Sequence, residues 1–267
     1  MIKLVVSDID GTLVPDGSSQ INPELFDVIR ELKKRGITFV AASGRQYESI
    51  HRLLEPIADD IIFIAENGGK VMHHDQMLSV EYMDPDVARE LILFLRRLPE
   101  CELMLATPDY TWLETRDEEF ADWIINGYKF HLKRTEDLLP LYDQVIKIAA
   151  YRKNGVQTFI DKIRERFQNR LNIMMSGNMW VDCMSKTTDK GNALSKIQHH
   201  LGISADETMV FGDNCNDIQM IEHAAWSYAV ANAHPQLKKA ARYEAPSCAE
   251  NGVLRTIREQ LLKPPVM

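Results

Sequence analysis

Cysteine is scarce in this sequence, with four residues, Cys101, Cys183, Cys215 and Cys248, in a chain of 267. They form no CxxC pair, and their wide spacing argues against a zinc site, while so few in so long a chain fit a reducing compartment. None has an arginine six residues later, so the loop of a cysteine phosphatase is absent. Positive charge is also in deficit. The 31 basic and 39 acidic side chains give a formal charge of −8, which argues against nonspecific nucleic-acid binding, since that depends on neutralising phosphates with Lys and Arg. No apolar run approaches the roughly 18 residues that cross a bilayer. Asp8 and Asp10 break the short apolar stretch at the N-terminus, which speaks against a signal peptide. These absences point to a cytoplasmic protein with neither a membrane nor a nucleic-acid partner. His73-His74 and His199-His200 lack metal-ligand spacing and are expected to face solvent. There is no internal repeat and no low-complexity stretch.

What is present is an ordinary globular composition, 45% hydrophobic and 26% charged, enough to bury a core without covalent staples. Ile2 to Val6 is a short β-branched run that reads as a buried parallel strand. Asn22-Pro23 marks a helix start, Leu25, Val28, Ile29 and Leu32 follow helical spacing, and Gly36 is a stop. Strands at 37–42 and 61–65 follow, with a short helix between them. This alternation predicts an α/β fold with a doubly wound, Rossmann-like parallel sheet. After about residue 70 the rhythm changes to hairpins, strands and separate helices, an α+β mixture that predicts an inserted domain. From Asp189 the α/β rhythm returns, with a helix to 201, a strand at 207–211, helix 216–223, strand 226–231 and final helices near 236–241 and 251–262. The expected division is a core of 1–82 and 187–267 interrupted by an insert of 83–186. The tail Lys263-Pro264-Pro265 is expected to fray.

In an open α/β sheet, ligands bind outside the carboxyl ends of the strands. Three predicted strand ends carry polar clusters: Asp8-Ile9-Asp10-Gly11-Thr12, Ser43-Gly44-Arg45, and Asp213-Asn214-Cys215-Asn216-Asp217. Lys190 opens the helix that leads to the last of these strands. Grouped carboxylates repel one another unless a cation bridges them. Mg²⁺ prefers oxygen ligands and takes one or two carboxylates plus substrate phosphate, which suits Asp8 and Asp213. Attack of a carboxylate on a phosphate must overcome about 5 kcal/mol per pair of unit charges at roughly 3.5 Å and an effective dielectric near 20. Mg²⁺ and Lys190 are the evident means of cancelling it, with Ser43 and backbone N–H groups near Ile9 and Gly44 left to hold phosphate oxygens. Asp8 and Asp10 alternate along an extended chain, so their side chains are expected to point to opposite sides. One can ligate or attack while the other faces the leaving group. Taken singly, each motif has a plainer explanation in turn chemistry or a solvated helix start; the ordered set of them at strand ends does not.

Asp8-Ile9-Asp10-Gly11-Thr12-Leu13 resembles the first motif of the haloacid dehalogenase-like (HAD) phosphatase superfamily. Ser43, Lys190 and Gly212-Asp213 with Asn216-Asp217 resemble its second, third and fourth motifs, in order. Glu66-Asn67-Gly68-Gly69, Ala231-Asn232-Ala233-His234-Pro235 and the long insert are similar to the Cof-type branch, whose larger α/β cap is inserted at that place. The resemblance implies that Asp8 is the nucleophile of an aspartyl-phosphate mechanism and Asp10 the acid and base. It implies that Mg²⁺ is held by the Asp8 side chain, the Asp10 carbonyl and Asp213. Ile9 (backbone), Ser43, Gly44, Lys190 and Asn216 would bind phosphate or substrate, and Asp217 would orient Lys190 or a water on the metal. Ser43 stands where many relatives have Thr, and Ala231 where many have Gly. The expected activity is hydrolysis of a small phosphorylated metabolite, such as a sugar phosphate, a nucleotide-like phosphate or a cofactor phosphate, with the cap selecting the leaving group. A phosphotransferase or phosphomutase on the same scaffold is the alternative. A non-enzymatic sensor phosphorylated on Asp8 is a further one, against which Asp10 speaks. Trp112, Trp123 and Trp180 in the insert are expected to pack, or one of them to line the substrate pocket.

Overall fold

Leu4–Asp8 (β1) is a buried strand that ends on a carboxylate. In the computed structural model, which describes residues 1–15, 18, 20–128 and 132–262, the chain continues through α1 (Glu24–Lys34), β2 (Thr38–Ala42), α2 (Tyr47–Leu53), β3 (Ile61–Ala65), β4 (Lys70–His73) and β5 (Gln76–Val80). It then enters α3 (Pro85–Leu95), β6 (Glu102–Ala106), β7 (Thr111–Glu114), α4 (Glu118–Tyr128), β8 (Leu132–Arg134), β9 (Lys147–Tyr151), α5 (Gln157–Phe167), β10 (Leu171–Met175) and β11 (Trp180–Ser185). The last stretch is α6 (Lys190–Leu201), β12 (Thr208–Gly212), α7 (Ile218–Glu222), β13 (Trp226–Val230), α8 (Pro235–Ala240), β14 (Tyr243–Ala245) and α9 (Gly252–Ile257). The chain divides into two units, Met1–Ser79 with Asp189–Met267, and Val80–Thr188. The sequence-based joins, 82/83 and 186/187, differ from these by two or three residues at each crossing. The tail Lys263-Pro264-Pro265 lies outside the described residues.

The first unit holds an eight-stranded sheet in the order β14-β13-β12-β1-β2-β3-β4-β5. Its six strands from β14 to β3 run parallel, and β4 returns antiparallel to β3. Apart from the short edge strand β14, the parallel strands are buried almost throughout, which explains why they read as unbroken apolar runs. Register aligns Asp8 with Ala42, Ser7 with Phe211 and Ala42 with Ile64. The residues that follow β1, β2, β3 and β12 therefore leave the sheet along one edge. Helix α1 shows how the faces are covered. Leu25, Val28, Ile29 and Leu32 form its buried stripe, and the Asn22 side chain accepts the Glu24 N–H at its entrance.

The second unit has a six-stranded sheet in the order β10-β11-β9-β6-β7-β8, mixed in direction because β7 and β8 are parallel while the other pairs are antiparallel. Helices α3 and α5 pack on one face through Leu91, Leu95, Phe159 and Ile163 against Leu103, Leu105, Ile148 and Val181. The other face carries Met104, Ala149 and Tyr151, covered in part by Phe120, Ala121 and Ile124 of α4. Phe120 and Tyr151 stack with ring centroids 4.5 Å apart, and Tyr151 meets Trp180 at 4.8 Å. Trp180 and Trp112 thus pack against the two cores of this unit, whereas Trp123 keeps 40% of its surface exposed. Asp84 caps α3 by accepting the Val87 N–H at 3.0 Å, with Pro85 at the first helical position.

Candidate active site

The turn after β1 is tight because Ile9 O accepts the N–H groups of both Leu13 (2.8 Å) and Val14 (3.0 Å), while Gly11 N donates to Val14 O (2.7 Å). Gly11 has φ +79, and a Cβ there would lie 2.3 Å from Asp213 Oδ2. Only glycine gives both this backbone and this space. The first motif can therefore bring its main chain against the carboxylate that follows β12. Thr12 Oγ1 donates to Asp213 Oδ1 at 3.1 Å and sets the direction of that carboxylate. Asn232 Nδ2 donates to Gly11 O at 2.8 Å, while Asn232 Oδ1 accepts the Cys248 N–H. The loop after β13 thus braces the same turn.

Lys190, the first residue of α6, has no exposed side-chain surface. Its Nζ donates to Asp8 Oδ1 at 2.5 Å and to Asp217 Oδ1 at 2.6 Å. Burial works against the Lys190 ammonium, but the carboxylates of Asp217 and Asp8 outweigh it and hold its pKa above the usual lysine range. Asp217 is fully occupied in this role, because its Oδ2 accepts the Asp213 and Asn214 N–H groups at 3.0 and 3.1 Å. Burial pushes the Asp8 carboxyl well above the carboxylate range, and the charges of Asp217 and Asp213 add to it against the pull of Lys190. Burial and Asp217 push Asp213 up to about 6.

Asp8, Asp213 and Asp217 present carboxylate oxygens within 4.8 Å of one another, facing the single ammonium of Lys190. Asp8 Oδ2 is buried without a hydrogen-bond partner among the described residues. A buried, all-oxygen donor set with surplus negative charge suits a hard divalent cation such as Mg²⁺. Since Asp217 spends its oxygens on Lys190 and two backbone amides, the carboxylates left for a cation are those of Asp8 and Asp213.

The second and third strand ends interlock beside this cluster. Ser43 N donates to Ile64 O, Asn67 N to Ser43 O and Glu66 N to Arg45 O. Ser43 Oγ accepts the Arg45 N–H at 3.0 Å, leaving its own O–H available as a donor. Glu66 and Asn67 are left-handed, at φ 50 and 53, a conformation non-glycine residues hold only where surroundings enforce it. Asn67 Oδ1 accepts Asn216 Nδ2 at 3.0 Å, and a Cβ on Gly44 would come within 3.0 Å of the Asn67 side chain. Gly44, Asn67 and Asn216 therefore form one contact. Ile9 has no exposed surface, so any contribution from it to ligand binding comes from its backbone.

Asp8, Lys190, Asp213 and Asp217 are thus one hydrogen-bonded cluster, and Ser43, Gly44 and Asn216 meet through Asn67. Asp10 stands apart from Asp8. Its carboxylate is taken by Arg45, whose Nε donates to Oδ2 at 2.8 Å and whose Nη2 donates to Oδ1. Sequence reasoning assigned no role to Thr12, Arg45, Asn67 or Asn232. The first two lie inside quoted motifs, and Asn67 and Asn232 lie in the segments similar to the Cof-type branch, so each had a positional signal but no spacing that names its partner.

A family model described as haloacid dehalogenase-like hydrolase matches residues 5–257. Among curated proteins, a 5-amino-6-(5-phospho-D-ribitylamino)uracil phosphatase of Escherichia coli is 29% identical over 264 residues, covering 97% of this chain and 96% of its own. A solved structure from Eubacterium rectale superposes with a TM-score of 0.91 at 33% identity, covering 97% of this chain and 99% of the other. A HAD subclass IIB sugar phosphatase shares the fold, with a TM-score of 0.81 at 20% identity, covering 96% and 98%. No helix among the described residues is long and apolar enough to cross a membrane.

Proposed function

The chain belongs to the haloacid dehalogenase-like hydrolase family and is a phosphatase, and on that footing we propose that it hydrolyses a small phosphorylated metabolite with Mg²⁺, through an aspartyl phosphate on Asp8. The observation that carries this reading is the Lys190 ammonium, buried between Asp8 and Asp217, next to an Asp8 Oδ2 that has no hydrogen-bond partner among the described residues. A buried carboxylate with one oxygen held by a cation and one oxygen unspent is placed to attack phosphorus.

In the first step the Asp8 carboxylate forms an O–P bond while the ester O–P bond breaks, and Asp10 gives its proton to the departing oxygen. In the second step water attacks the same phosphorus, Asp10 takes the proton from that water, and Asp8 is released as a carboxylate with inorganic phosphate. Lys190 lessens the repulsion between the Asp8 carboxylate and the phosphate, and Asp217 keeps the ammonium in place and charged. The Ser43 hydroxyl, the backbone near Ile9 and Gly44, and the Asn216 amide hold phosphate oxygens. Mg²⁺, held by the Asp8 and Asp213 carboxylates and the Asp10 carbonyl, would supply further positive charge to the phosphoryl oxygens.

The substrate class we propose is a sugar phosphate or a phosphorylated nucleotide-like or cofactor compound. The support is the names of the relatives, one a phosphatase of a phosphoribitylamino-uracil and one a sugar phosphatase. The unit Val80–Thr188, inserted between the second and third motifs, is the part proposed to select the leaving group. Four cysteines, none in a disulfide among the described residues, suit a reducing cytoplasm. The test is phosphate release from a broad panel of phosphomonoesters, with and without Mg²⁺. Turnover of at least one member, abolished by chelation and by Asp8→Asn, is expected. Folded protein that turns over no member, or full activity in Asp8→Asn, would overturn the proposal.

A further inference from the structure

Arg45 and Asp10 are 35 residues apart in sequence and joined by two parallel hydrogen bonds, Nε to Oδ2 and Nη2 to Oδ1. Their side chains are 24% and 26% exposed, neither loose in solvent nor sealed from it. The guanidinium is fixed in turn, since Nη2 also donates to Ser18 O at 3.0 Å. The backbone of Arg45 is held on both sides, by its N–H on Ser43 Oγ and by its carbonyl on the Glu66 N–H. The fork therefore stands on a braced loop. It reaches from the end of β2 to a carboxylate on the turn after β1.

An ordinary exposed ion pair contributes at most about 1 kcal/mol to stability. The bidentate geometry does something else, because it fixes the plane of the carboxylate as well as its position. An ionised carboxyl has about four lone-pair sites, two on each oxygen, so the fork engages both oxygens and leaves a site free on each. A side chain that must deliver a proton to one oxygen and collect it from another gains directly from such a fixed plane. We propose that Arg45 is the positioning residue for Asp10, fixing the orientation of its carboxyl for proton delivery to the leaving oxygen; this rests on the assignment of Asp10 as acid and base made above.

The test uses leaving groups that need different amounts of protonation. kcat/KM is measured with Mg²⁺ for p-nitrophenyl, phenyl and benzyl phosphate, in the wild type, Arg45→Ala, Arg45→Lys, Asp10→Asn and the Arg45→Ala/Asp10→Asn double variant. This parameter reports the steps through departure of the leaving group. Arg45→Ala is expected to lose about 100-fold on benzyl phosphate, the low end of general-acid contributions, and under about threefold on p-nitrophenyl phosphate, with phenyl phosphate between. Arg45→Lys keeps the charge but not the fork, so it should retain the selective loss, and its activity on p-nitrophenyl phosphate shows that it folds. In the Asp10→Asn background, adding Arg45→Ala should cost nothing further. Equal losses on all three esters, as for an arginine that binds the phosphate, would overturn the proposal, and so would a further loss in the double variant. If Asp10→Asn alone leaves the ratio between the esters unchanged, the acid–base assignment itself falls, and the role of Arg45 with it.

Discussion

Lys190 and Asp217 form an ion pair of 2.6 Å in which neither side chain has any exposed surface. Removing Asp217 leaves the Lys190 ammonium paired with Asp8 alone and, with the buried hydrogen bonds of Asp217 lost, costs about 1–3 kcal/mol. Asp217→Ala also strips the acceptor from the Asp213 and Asn214 N–H groups. The expected result is a loss of that size in urea unfolding, together with reduced phosphatase activity as Lys190 loses a tether. A variant as stable as the wild type would contradict the structural role given to Asp217.

The carboxyls around Lys190 set a pH window for the metal-free protein. Burial, then Asp217, raises Asp213 to about 6 from its ordinary value of 3.8, and Asp8 is raised by burial and the same neighbours. A carboxyl whose pKa is higher folded than unfolded favours the folded state at low pH. That contribution is lost as pH rises through the folded value. The chelated protein should therefore lose thermal stability between about pH 4 and pH 6 through this site. Since a cation must displace these protons, Mg²⁺ affinity should be about tenfold weaker at pH 5 than at pH 7. Titration calorimetry at the two pH values checks this, and equal affinities would contradict it.

Gly11 is required both for its φ of +79 and for the 2.3 Å approach of Asp213 Oδ2 to the position of a Cβ. Gly11→Ala should displace Asp213 while leaving both sheets formed. The expected outcome is a loss of at least about tenfold in Mg²⁺ affinity, with a backbone strain of roughly 1–2 kcal/mol. Circular dichroism and calorimetry on the same sample separate the two effects.

The four thiols should differ in reactivity. Burial pushes Cys101 up to about 12 and Cys183 beyond the usual thiol range, and thiols held protonated in apolar surroundings react slowly. Cys215 is part-exposed, with its Sγ 3.3 Å from His234 Nδ1. Iodoacetamide should label Cys215 first in the folded protein and reach Cys101 and Cys183 only on unfolding, as followed by peptide mass mapping.

Parallel strands buried on both faces were legible because such burial writes an unbroken apolar run, as in Ile61–Ala65, whose bounds match the predicted strand. Helix α1 was legible for a related reason, its stripe of Leu25, Val28, Ile29 and Leu32. The strands Leu132–Arg134 and Tyr243–Ala245 were not anticipated. At three residues each, largely exposed, they carry no alternation to read. At the site, residue type and chain order pointed to Asp8, Lys190, Asp213 and Asp217, which the fold gathers into one hydrogen-bonded cluster. The contacts of Arg45 with Asp10, Asn67 with Asn216, and Asn232 with Gly11 span 35, 149 and 221 residues. Sheet order and register create these pairs, and no local periodicity records them.

The most direct test of the central claim is a rapid-quench experiment with a phosphomonoester that the enzyme turns over, labelled with ³²P, followed by peptide mapping. The account predicts transient label, never above one phosphate per chain, on the peptide that contains Asp8, and none in Asp8→Asn. Turnover with no protein-bound label at any quench time, or with label on another residue, would contradict it.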